Sequence, residues 1–126
     1  MAIPDSVLRR RQGFDVEALL TTTEDQAIGA TADGSSIRVG RGAEFEISVA
    51  ASAVSGTSPT LDVVIEGSAT DAFGGEEVVI ATFNQVTAAG DYEQQLIKSE
   101  YEYIRAAYTI GGSSTPIVTA TVAIRS

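Results

Sequence analysis

The chain has 126 residues and a formal charge of -9, with 44% hydrophobic and 20% charged residues, which fits one folded domain and excludes a disordered chain. It contains neither cysteine nor histidine, so disulfides, thiolate metal sites, cysteine nucleophiles and histidine acid–base catalysis are excluded. An acidic chain also lacks the basic face that nucleic acid requires, and no apolar run reaches the length of a membrane span.

Two biases set the further expectations. Val 12, Ile 11 and Thr 13 stand against Leu 5 and Met 1, an excess of β-branched residues that favours strands. Charge is split along the chain. Residues 1–11 hold three Arg and one Asp, a balance of +2, whereas residues 12–126 hold five basic and sixteen acidic residues, a balance of -11.

Residues 1–13 read as an N-terminal arm with too few apolar residues for a core, although Asp5 and Ser6 are suited to capping a short helical turn. No apolar stretch follows the arginines, so the arm is not read as an export signal. Residues 14–126 read as a β-domain. Phe14, Val16, Ala18 and Leu20 alternate with Asp15, Glu17 and Leu19, predicting a half-buried strand; Glu24 to Ser36 reads as a polar connection, and Ile37 to Val39 as a short strand.

Phe45, Ile47 and Val49 alternate with Glu44, Glu46 and Ser48 in the clearest strand of the chain. Ser55-Gly56-Thr57-Ser58-Pro59 is turn chemistry, and Leu61, Val63 and Ile65 alternate after it, so the two strands are expected to form a hairpin. Gly67 to Glu77 is a loop, Val78 to Phe83 and Tyr92 to Ile97 are strands, and Ala88 to Gly90 is a turn. Tyr101 to Ile110 and Ile117 to Ile124 are further strands, separated by a turn at Gly111 to Thr115, with Val118, Ala120, Val122 and Ile124 inward. The segment from Val54 to Pro59 is echoed by Ile110 to Pro116. The expected fold is all-β: an antiparallel sandwich, jelly-roll or immunoglobulin-like, of about seven to nine short strands.

Candidate chemistry is sparse. Gly40-Arg41-Gly42 resembles the start of a phosphate loop, but Phe45 stands where a third glycine is needed, and a strand-to-strand turn is the simpler reading. Asp71, Glu76 and Glu77 flank Gly74-Gly75 without the alternating ladder of a calcium loop. The pairs Glu44/Glu46 and Glu100/Glu102 are what half-exposed strands of an acidic protein produce, and Lys98 is the only lysine. The chain is therefore read as non-enzymatic, with no cofactor, metal or small-molecule substrate. Tyr101 and Tyr103, with Tyr92 near in sequence, read as cross-strand packing or a subunit contact. Arg9, Arg10 and Arg11, beside the apolar anchors Val7, Leu8 and Phe14, read as an arm that docks on an acidic surface.

The run from Ala53 to Ile65 is similar to a stretch that recurs in small structural proteins of tailed bacteriophages. The likeness continues through Ala81-Thr82-Phe83, Val86-Thr87-Ala88-Ala89-Gly90, Tyr103-Ile104-Arg105-Ala106, the Gly111-Gly112 turn and the last alternating strand. It covers about Phe45 to Ile124. The resemblance implies a head decoration (cement) protein, made in the bacterial host cytoplasm and bound to the outer surface of the capsid. It also implies a major capsid protein as partner, a homotrimer at local three-fold positions, and terminal arms that clamp neighbouring subunits. The arm here lacks the Pro/Gly-rich pattern of the best-known decoration proteins. The alternative is a tail or head-fibre module that recognises a host surface glycan.

Overall fold

A computed structural model describes residues 18–21 and 23–125. Among the described residues there is no helix, and seven strands form one antiparallel sheet: β1 (Ala18–Leu19), β2 (Gln26–Ile28), β3 (Ala32–Arg38), β4 (Ala43–Ser68), β5 (Val78–Thr82), β6 (Tyr92–Ser99) and β7 (Tyr103–Arg125). The arm and Phe14 to Glu17 lie outside the described residues.

The central element differs from the expected hairpin. β4 is one strand of 26 residues and β7 one strand of 23, and they pair antiparallel from Glu46↔Arg125 to Ser68↔Tyr103. Both segments read as turns lie inside this ladder. They face each other, with Ser55 opposite Ile117, Thr57 opposite Ser113 and Thr60 opposite Gly111. Register shifts between Ala51 and Ala53, Ser55 and Thr57, and Thr57 and Thr60 mark bulges, which bend a strand without ending it. Gly56 and Gly112 adopt positive φ (94° and 115°), as do Ser58, Ser114 and Thr115. Gly112 has a steric reason to be glycine: a Cβ there would lie 2.8 and 2.9 Å from the carbonyl oxygens of Ser58 and Thr57. The sequence echo is thus a shared corner, at which both strands bend together.

The corner divides the sheet into two halves. In the first, β1 and β2 flank the C-terminal part of β7, and β6 flanks the N-terminal part of β4; in the second, β3 and β5 flank the remaining parts of the same two strands. Backbone bonds at Phe83, Val86 and Gly90 carry the β5–β6 connection along β4. The predicted polar connection from Glu24 to Ser36 contains β2 and β3, short edge strands whose exposure hides their alternation.

One face of both halves lines a single apolar cluster. Phe45, Ile47, Val49, Leu61, Val63 and Ile65 of β4 meet it alongside Ile104, Ala106, Tyr108, Val118, Ala120, Val122 and Ile124 of β7, all at 1% exposure or less. The inward positions read from the alternation over Phe45 to Val49, Leu61 to Ile65 and Val118 to Ile124 are correct. Each buried Val, Leu or Ile contributes about 1.5 to 3 kcal/mol relative to exposure. A seam ties the halves: the Leu20 carbonyl, beside β1, accepts bonds from the Ser35 N–H of β3 (2.9 Å) and the Tyr108 hydroxyl (3.3 Å). Burial, and secondarily the Asp33 carboxylate, pushes the Tyr108 hydroxyl pKa upward.

Candidate functional site

The outer faces of the two halves differ in chemistry. On the second half, Arg105 projects outward between Ile104 and Ala106, which are buried, and meets Glu66 (2.8 Å) and Asp33 (3.4 Å) from the strands on either side. The loop after β4 then folds over it. Phe73 is 5% exposed, and the Arg105 guanidinium lies 4.4 Å from its ring centroid, a cation–π contact that covers Arg105 with the chain's own loop. Arg38 pairs with Glu102, which holds the guanidinium more firmly protonated than usual.

The outer face of the first half has no such cover among the described residues. Its rows follow from register: Ala27, Thr119 and Ala53; Thr121, Ala50 and Tyr92; Leu19, Ala123, Ser48 and Gln94; then Arg125, Glu46 and Leu96. Most of these side chains are small, and three larger apolar ones stand exposed: Leu19 (36%), Tyr92 (62%) and Leu96 (73%). Charges at one end occur as opposites, with Glu46 3.5 Å from Arg125 and Glu44 across the ladder from Lys98. Glu24 borders the opposite edge in a shallow depression with Leu19 and Thr121, and Asp25 is bonded to the Thr121 hydroxyl.

Other candidates have ordinary partners. Gly40 and Gly42 have positive φ in the β3–β4 connection, and the Gly42 N–H donates to Ser99 O (2.6 Å), a strand-to-strand turn. Around Gly74-Gly75, Asp71 accepts from Ser36, Glu76 from Thr70 (3.1 Å) and Glu77 from the Gly75 N–H (3.0 Å). No cluster of three metal-ligating side chains occurs among the described residues. A cleft of about 270 Å³ lies at the β5–β6 connection. Its carboxylates are engaged in holding backbone: Asp91 accepts from Thr87 and Ala88, and Glu93 accepts from Asn84.

The three tyrosines do not come together. Tyr101 lies against the backbone of Gly67, where a Cβ would come within 2.7 Å of the ring, and Tyr103 is opposite Ser68 and Arg38. Tyr92 sits opposite Ala50, seven positions along β4 from the Ala43 and Ser99 pair, or about 23 Å at strand rise. Val7, Leu8, Arg9, Arg10, Arg11 and Phe14 lie outside the described residues. Leu19 and Leu96 were not among the predicted site residues. The available signal was the absence of charge from Ile47 to Leu61 and from Ala106 to Ile124, two runs that become meaningful once they are paired.

No protein-family model, curated protein or solved structure matches this chain.

Proposed function

We propose that the chain is a non-enzymatic virion protein of a tailed bacteriophage, which binds the outer surface of an assembled capsid and stabilises it as a decoration or cement protein. Its partners are the major capsid protein and further copies of itself in a homotrimer. In this reading the curled sheet serves as a sandwich whose layers are the two halves, which a single cluster shared by both supports. The arm supplies the capsid contact through Arg9, Arg10 and Arg11, with Val7, Leu8 and Phe14 adding apolar area. Protein synthesis in the host cytoplasm and residence on the capsid exterior belong to the same proposal.

The observation that carries it is the division of the surface. One half folds the Phe73 loop and ion pairs over Arg105 on its outer face, leaving Val78 and Val79 of β5 exposed, whereas the other has charge-free central rows with Leu19, Tyr92 and Leu96 exposed. That is suited to contact with protein. Particles purified with and without the protein provide the test. A ligand that binds only the assembled shell stabilises it by linkage, so decorated particles should survive heat and osmotic shock longer, with copy number approaching that of the capsid protein. Equal survival would count against cementing, and scarce copies would favour the fibre module.

A further inference from the structure

We infer that the outer face of the first half is where a second copy of this chain packs, with Ala123 and Ser48 near its centre and Leu96 and Leu19 toward its sides. The inference goes beyond the homotrimer of the proposed function: a face that packs on its own copy closes a two-fold pair, so it assigns a contact between two chains and not the three-fold one. Electrostatics select the occupant. Two copies of a chain of charge -9 repel wherever their carboxylates are unbalanced, and the second half with its loops carries Asp33, Asp62, Glu66, Asp71, Glu76, Glu77 and Glu102 against Arg38 and Arg105. The first half instead presents central rows without charge, drawn from Ile47 to Leu61 and Ala106 to Ile124, with the carboxylates of Glu24 and Asp25 beside the Thr121 edge.

At the end of this face, Glu46 stands with Arg125 and Glu44 across from Lys98. A second copy therefore meets both signs, and each carboxylate can take a cation of either chain. A self-complementary patch of this kind is what a two-fold interface between identical subunits requires. Size is also adequate. Four strands at ~4.8 Å spacing and eight residues at ~3.3 Å rise give roughly 500 Å² in projection, and side-chain relief brings the accessible area toward the roughly 800 Å² per partner of an ordinary stable interface.

The experiment uses the isolated full chain, so its result is independent of whether particles are decorated. Sedimentation equilibrium from about 1 to 100 µM should show self-association. Leu96→Asp and Ala123→Glu should each raise the dissociation constant at least about tenfold, because they place like charges together in the contact. Val79→Asp, on the exposed β5 (53%), should leave it unchanged. Circular dichroism checks that each variant is folded. Because the chain has no cysteine, Leu96→Cys and Val79→Cys provide a second measurement that spares the charge balance: a short bis-maleimide should link Leu96→Cys chains into dimers and leave Val79→Cys chains single. A monomer throughout the concentration range, equal cross-linking at both positions, or unchanged association of the two face variants would overturn the inference. Dissociation on removing residues 1–12, with the face variants still assembled, would also overturn it and assign the contact to the arm.

Discussion

Replacing Gly34 by alanine tests the seam between the two halves. A Cβ at this position would lie 2.3 Å from the Leu20 carbonyl oxygen and 2.6 Å from the Tyr108 hydroxyl oxygen, the first of these roughly 1 Å short of ordinary contact. The oxygen cannot move aside freely, because it accepts from both Ser35 N–H and Tyr108, and the Leu20 side chain is wholly buried. Losing the two bonds costs about 1 kcal/mol each, and displacing Leu20 costs part of the ~1.5 to 3 kcal/mol that its burial contributes. Gly34→Ala should therefore destabilise the protein by about 2 to 4 kcal/mol, lowering the melting temperature by roughly 8 to 15 °C for a chain of this size. Urea unfolding followed by circular dichroism measures the first quantity, with the slope unchanged if only stability has altered. Gly74→Ala is the control, since it has open space and ordinary backbone. If both variants fell within about 0.5 kcal/mol of the parent, the seam would not hold the halves as described.

Tyr108 is held protonated by burial, and its ordinary pKa is near 10. Its contribution is complete below pH ~10 and falls above it by about 1.4 kcal/mol per pH unit as the unfolded chain ionises, a slope that Tyr108→Phe should reduce in alkaline denaturation. Phe73→Ala removes the cover over Arg105 and should cost about 2 to 3 kcal/mol, with faster proteolysis within residues 69–77. Gly112→Ala would crowd the carbonyls of Thr57 and Ser58 and should cost about 2 kcal/mol or more, measured by thermal unfolding.

Sequence reasoning succeeded where one strand face is buried and the other wet. Phe45, Ile47 and Val49, and later Val118, Ala120, Val122 and Ile124, alternate because the sheet has one dry side, and period two records that directly. It failed at the corner for an equally physical reason. Ser, Gly and Pro mark places where the chain leaves regular strand geometry, but the same residues serve a reversal and a bulge. Only the partner strand distinguishes them, and that partner is distant in sequence. The resemblance between Val54–Pro59 and Ile110–Pro116 did contain the clue, because matching bends in paired strands must lie opposite each other. The candidate surface was hidden for a similar reason. Leu19, Ala123, Ser48 and Gln94 come from four strands, and only register places them in one row.

The shared central ribbon also has consequences on the ribosome. Its nearest paired ends, Ser68 and Tyr103, are 103 - 68 = 35 residues apart, and Glu46 and Arg125 are 79 apart. Contact can begin only at the near end and then zip outward, each added pair closing a longer span of chain. Until residues 103–125 emerge, β4 lacks its main partner, leaving an apolar strand edge open to other nascent chains. Synthesis thus holds β4 waiting for a partner made later. Long-range pairing of this kind places folding in the slower regime of small domains, so yield in the cell should respond to translation rate and temperature more than native stability alone would suggest.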